Sequence, residues 1–331
     1  MTEQSSLTVA SKDQLELSPA AAYGLVGTRA GAPFRAEPIP LSRSTTSAQA
    51  LVMIATSCLR QIALNENGVR EGSAEAVHQM RVGLRRLRAA FSIFGSILGQ
   101  GEFDALKREL VWLTEQLAEA RECDVLLQSR RRFEDATGAA LGVEQELSEQ
   151  LARRRERAVA VARGAVQVER FQRLIVSAAA CLVSRADREG KGAEPAHHLA
   201  RRILEHRRRR VLRGLARFEQ LSEGERHKLR VRIKKLRYGT EFFATLFSRR
   251  DRRRKSFSRR LEALQDALGR LNDISVQRAL ARSLVDEDRS SRRSAFALGA
   301  LIGFEHAELG ALLVTVSKLR RRLARAPRFW R

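Results

Sequence analysis

HQMRVGLRRLRAAFSIF, residues 78–94, recurs as HKLRVRIKKLRYGTEFF, residues 227–243. Histidine, arginine and valine hold their places in both copies: His78 with His227, Arg81 with Arg230, Val82 with Val231. Arg85 and Arg86 become Lys234 and Lys235, and Arg88 matches Arg237, all at an offset of 149 residues. Ser73 and Ser222 stand five residues before each histidine, where a hydroxyl can cap a free backbone N–H at a helix start. Ser222 with Glu225 has the spacing of a capping box. A second echo, LAEARECDV at 117–125 and LGRLNDISV at 268–276, follows in the same order. Two ordered matches point to a duplicated helical unit.

On a helix the residues of the first copy sort into faces. With Val77 at zero and about 100° per residue, Met80, Leu84, Leu87 and Phe91 fall between roughly 280° and 340°, an apolar stripe for a core. His78, Arg81, Arg85 and Arg88 fall between roughly 20° and 100°, a second stripe beside it; Arg86 lies near 180°, on the far side. In the second copy the equivalent stripe is His227, Arg230, Lys234 and Arg237. Like charges four apart destabilise a helix by about 0.2–0.5 kcal/mol per pair. No acidic residue between the histidine and the last arginine of either copy offsets that, whereas a row of phosphates would. A solvated face is the ordinary alternative for one such helix, but the same stripe repeated in register argues for a ligand. Each histidine either holds a neighbouring helix or stays neutral until phosphate arrives and then takes a proton. The second reading predicts tighter binding as pH falls toward about 6.

The chain around these stretches is basic and helical. It has 331 residues, net charge +24 and pI near 11.4. Four basic and four acidic residues balance in the first 45, so the excess sits beyond them. That excess calls for a polyanionic partner: nucleic acid, an anionic membrane or an inorganic phosphate polymer. Hydrophobic residues at 44% suffice for a core, and few aromatics and only six prolines favour an all-α protein. Helices are expected at about 46–66, 73–99, 102–136, 143–163, 166–187, 196–219, 223–248, 252–287 and 291–325. The domain reading is a flexible tail at 1–44, a first helical half at 45–188 and a second at 189–331.

HRRRRVLRGLARF at 206–218 adds a stripe of Arg210, Arg213 and Arg217, a candidate second wall for a groove beside the second histidine helix. RRDRRRKSFSRR at 249–260, the C-terminal KLRRRLARAPRFWR at 318–331 and the run Arg153–Arg157 read as solvated. Cys58, Cys123 and Cys181 form no CxxC and read as small hydrophobes in a reducing cytoplasm. No apolar run of about 18 residues is evident for a membrane helix, and no secretory signal. One histidine per copy, with the adjacent pair His197 and His198, makes a metal site unexpected.

The paired histidine stretches and the LGxxNDxxV-like segments resemble the CHAD domain, the conserved histidine α-helical domain, over about residues 46–325. The resemblance implies two bundles of about four helices each around a pseudo-twofold axis, with a basic central groove. It also implies binding of inorganic polyphosphate and association with polyphosphate granules. On that basis the phosphate ligands would be His78, Arg81, Arg85 and Arg88 with His227, Arg230, Lys234 and Arg237, flanked by Arg210 and Arg213. Tyr238 matches the family's LRY ending, where the first copy has Ala89. Glu122 stands where the family more often has Asp, and Arg121, Asp124, Asn272 and Asp273 would be structural tethers. Many relatives carry a preceding triphosphate-tunnel domain with an ExExK signature. Here VEQEL at 143–147 has Leu147 in place of Lys, and residues 11–41 read either as a relic of such a domain or as an ordinary tail. The expected function is binding without cofactor, metal or catalytic residue. A nucleic-acid binder is the alternative, weakened by the scarcity of aromatics between the cations. A phosphohydrolase is a lesser one, because neither histidine helix carries an acid between its histidine and its last arginine.

Overall fold

The computed structural model describes residues 18–26, 32–95, 97–98, 102–137, 144–184, 192–286 and 292–331. The expected breaks at Gly99, Gly101, Gly138 and Gly142 and the boundary at 188/189 lie outside them. The described residues are helical, as the patterning predicts, with no β-ladder among them. In chain order they form α1 (Pro19–Val26), α2 (Ser47–Ala63), α3 (Glu66–Arg70), α4 (Ala74–Ile93), α5 (Glu102–Gln116), α6 (Ala118–Thr137), α7 (Glu144–Gln167) and α8 (Glu169–Val183). After these come α9 (Ala196–Ala216), α10 (Glu223–Phe242), α11 (Asp251–Asp286), α12 (Arg292–Ala307) and α13 (Leu309–Ala324). Short 3₁₀ turns at Phe218–Gln220 and Thr245–Arg250 bracket α10. Two expected long helices are each split: the stretch at 102–136 breaks at Leu117, and that at 291–325 breaks at Glu308.

The two histidine stretches occupy α4 and α10, whose bounds repeat at the same 149-residue offset as the sequence. Ser73 and Ser222 cap them, accepting from the N–H of Ala76 and of Glu225, and Ser222 completes its capping box. The preceding helices α2 and α9 also start 149 residues apart. Their starts join reciprocally: Ser47 N–H donates to Glu194 O at 2.7 Å and Ala196 N–H to Thr45 O at 2.9 Å. The bridge pairs Thr46 with Pro195, again 149 residues apart, and a local two-fold relation has this form.

α2 lies against α4, α9 against α10, and α4 crosses α10. Met80, Leu84 and Leu87 are buried in one large core with Leu229, Ile233 and Leu236. A smaller core gathers Leu126 of α6, Leu151 of α7, Leu280 of α11 and Leu298 and Leu301 of α12, so the far ends of the two halves interlock. At the α2–α4 contact Gly83 is required. A Cβ there would sit 2.9 Å from Ile62 Cγ1, 3.2 Å from Ile62 N and 3.3 Å from Cys58 O.

Several expectations are corrected. The segment read as a flexible tail is tied down where described. Phe34, Ile39 and Leu41 are buried. Asn65 bonds both the N–H and the C=O of Phe34, and Thr245 bonds Leu41 N–H and Ile39 O. Pro19–Val26 of this segment forms the helix α1 despite Gly24, and from residue 32 on apolar side chains and satisfied backbone groups hold an extended strap. The C-terminus is likewise packed: Phe329 and Trp330 are buried against Phe257, and Trp330 Nε1 donates to Glu205. Arg154 and Arg155 pair with Glu119 and Asp124, tethering α7 to α6. Two stretches, Ser47–Arg70 and Ala295–Ala324, are long and apolar enough to cross a membrane. The first is a mostly buried core helix pair, and the second is only 22% buried.

Candidate functional site

The two cation rows converge where α4 crosses α10. Arg85 lies within electrostatic reach of both Arg230 and Lys234 across the crossing. His78 and Arg81 share that field through Arg85. Burial, then Arg121, Arg85 and Arg81, push the His78 imidazolium down to about 4. Burial and Arg85 push Arg81 down to about 10. Burial, then Arg230, Arg85 and Arg237, push Lys234 down to about 7, against the smaller opposing pull of Asp273. The crossing therefore holds cations that lose solvation and repel one another, and added negative charge relieves both effects.

Each row faces a carboxylate from a neighbouring helix at corresponding positions, which the reading of α4 and α10 alone missed. Glu122 of α6 faces Arg81, and Asp273 of α11 faces Arg230. They stand at the 151-residue offset of the second echo. Burial raises the pKa of both. Arg121, read as a tether, stands near His78, Arg81 and Asp273 and joins the cluster. Asn272 is a tether in fact: its Oδ1 accepts from His227 Nδ1 at 3.1 Å and Arg230 Nη1 at 3.2 Å. Arg81 is oriented by donating to Thr114 O on α5 at 2.8 Å. The Nε–H groups of Arg81, Arg85, Arg230 and Arg237 are buried and have no partner among the described residues.

Not every expected ligand joins the crossing. Arg237 is already engaged by Glu241 Oε1 at 3.2 Å and lies 3.8 Å from Glu262 Oε1. Arg88 is exposed, and its charge is felt by Lys235 alongside Arg207 and Arg210. His227 sits at the rim, lining a groove between α9 and α10 with Arg210. Arg213 lines an adjoining cavity with Arg217 and Lys228. The wall facing Arg210 and Arg213 is therefore Lys228 and Arg232, rather than the row Arg230, Lys234 and Arg237. Arg86, placed on the far side by the helical wheel, is only 3% exposed. It lies over the Phe242 ring and donates to Gln61 Oε1 at 2.8 Å. Gln61 in turn bonds Gln79, which bonds Glu75. The far side of α4 is a buried face, because α2 and α10 both pack there.

These features define a helical domain whose cations gather where two related helices cross. The chain belongs to the CHAD domain family, whose model matches residues 53–282. It is 30% identical to the CHAD domain from the plant Ricinus communis, known from a crystal structure, with a TM-score of 0.76 over 90% of this chain and 99% of that one. PptA from Streptomyces chartreusis shares the fold at 19% identity and a TM-score of 0.65, covering 84% of this chain and all of that one. Comparison with curated proteins found no match.

Proposed function

We propose that the protein binds inorganic polyphosphate across the α4–α10 crossing and holds it without cleaving it. One observation carries the reading: Arg85 of the first row shares its field with Arg230 and Lys234 of the second. Two half-buried rows of donors face one strip, and a flexible chain of phosphates matches such a strip with one charge-assisted contact after another. His78, Arg81, Arg85, Arg121, Arg230 and Lys234 supply the central contacts. Arg88 extends them outward, whereas His227 and Arg210 line the neighbouring α9–α10 groove. Family membership supports the ligand class. A cytoplasmic place beside polyphosphate granules follows from the same reading.

The test is polyphosphate affinity of wild type against Arg85→Ala/Arg230→Ala, with helicity followed by circular dichroism. The double variant should bind at least about tenfold more weakly at unchanged helicity. Equal affinity would remove the crossing from the site. Duplex DNA at matched salt should compete poorly; equal competition would favour the nucleic-acid reading. Incubation with polyphosphate and magnesium should release no phosphate.

A further inference from the structure

We infer that the groove between α9 and α10 is a second anion site, separate from the crossing, that seats a short linear oligophosphate. The groove encloses about 470 Å³ and is lined by Arg207, Arg210, Lys228, Arg232 and Lys235, with Ile203 and Val231 between the charges. That volume lies within the range of small-ligand pockets, about 300–1,000 Å³. Arg207 closes one end by donating to Ser92 O at 3.0 Å, and Lys235 Nζ reaches Ser92 Oγ at 3.5 Å. Among the described residues, no carboxylate lines it.

Helix geometry separates this groove from the crossing. With His227 at zero, Arg230, Lys234 and Arg237 fall at roughly 280° to 340° around α10, while Lys228, Arg232 and Lys235 fall at roughly 80° to 140°. The two sets face α11 and α9 respectively, on opposite sides of one helix. The exposed residues His227 and Val231 form the ridge between them.

The first half shows what the same helix pair does without a ligand to hold. At the 149-residue offset, Arg207, Arg210, Lys228 and Arg232 correspond to Cys58, Gln61, Gln79 and Gly83. There Gly83 lets α2 close onto α4, and Gln61 and Gln79 are buried and bonded to each other at 2.9 Å. The second half replaces this sealed seam with four cations around an open cavity. Their repulsion is unrelieved by any lining acid: burial and then Arg210 push Arg207 down to about 10, and burial, Arg207, Arg88 and Arg210 lower Lys235. A short, half-open groove ringed with guanidinium and ammonium donors suits a few phosphoryl groups rather than a long run of polymer.

The ligand class rests on the polyphosphate reading, but the position does not. The experiment is calorimetric titration of the full chain with tripolyphosphate. Wild type should show two classes of site. Lys228→Ala/Arg232→Ala changes two exposed side chains, and should abolish one class or weaken it by at least about tenfold. Arg85→Ala/Arg230→Ala should remove the other class and leave this one. If Lys228→Ala/Arg232→Ala leaves the isotherm unchanged, the second site does not exist. If the groove variant loses binding and the crossing variant does not, the crossing fails and the groove stands. Binding of inositol hexakisphosphate but not tripolyphosphate at Lys228 and Arg232 would overturn the linear assignment.

Discussion

Lys234 decides how the crossing responds to pH. Burial and the neighbouring arginines hold its ammonium down to about 7, against an ordinary 10.5. Above neutrality it is therefore mostly uncharged in the free protein. A bound phosphate chain favours the charged form and raises its pKa again, so binding above pH 7 takes up a proton. Affinity should fall as pH rises from about 7 toward the bound-state value, by up to about tenfold per unit. Lys234→Arg keeps its charge throughout and should flatten that profile; an unaltered slope would show that another group carries the proton. The same shift has the opposite sign for folding. Between pH 7 and 10.5 the unfolded chain binds more protons, so the ligand-free fold gains stability as pH rises. The sequence placed this proton on the histidines, with a response near pH 6. His78 instead lies near 4, because its burial beside three arginines comes from α6 as well as from α4. A helical wheel shows which residues share a face, not what a third helix brings to it.

The α2–α4 seam was half legible among the elements. Periodicity located α4 within a few residues, and the serine caps fixed its start. The burial of Arg86 could not be read, since its position on the wheel gave only a direction and two other helices fill that direction. Arg86→Ala should lower stability by about 2–4 kcal/mol in urea melts, from the cavity and from leaving Gln61 without its donor. A loss under about 0.5 kcal/mol would mean that the Gln61–Gln79 pair does not depend on it. The splitting of the expected helices at Leu117 and Glu308 also lacked a signal, because neither site carries Gly or Pro. Residues 32–44 run the other way: their three prolines rule out a helix but do not prevent Phe34, Ile39 and Leu41 from packing.

Charge sets the behaviour of the whole molecule. With +24 distributed beyond residue 45, association with a phosphate polymer should release many counterions. By analogy with single-stranded nucleic acid, each phosphate neutralised adds about −0.7 to the slope of log K against log salt. Five central cations then give a slope of about −3.5, and Arg85→Ala/Arg230→Ala should reduce its magnitude by about 1.4. An unchanged slope would mean that the charge acts diffusely over the surface. At this scale the sequence was most informative: helix content, the repeat and both histidine helices were all visible in it. What escaped it was asymmetry, the closed seam in one half and the open groove in the other, which depends on whether a position holds Gly83 or Arg232 inside a helix contact. The reciprocal joint between the starts of α2 and α9 has a consequence for biosynthesis. Ser47 leaves the ribosome long before Glu194, the acceptor of its N–H, has been translated. At about 5–20 residues per second that delay is roughly 7–30 s, during which the leading edge of the nascent chain stays unlatched and the order of assembly is set by translation.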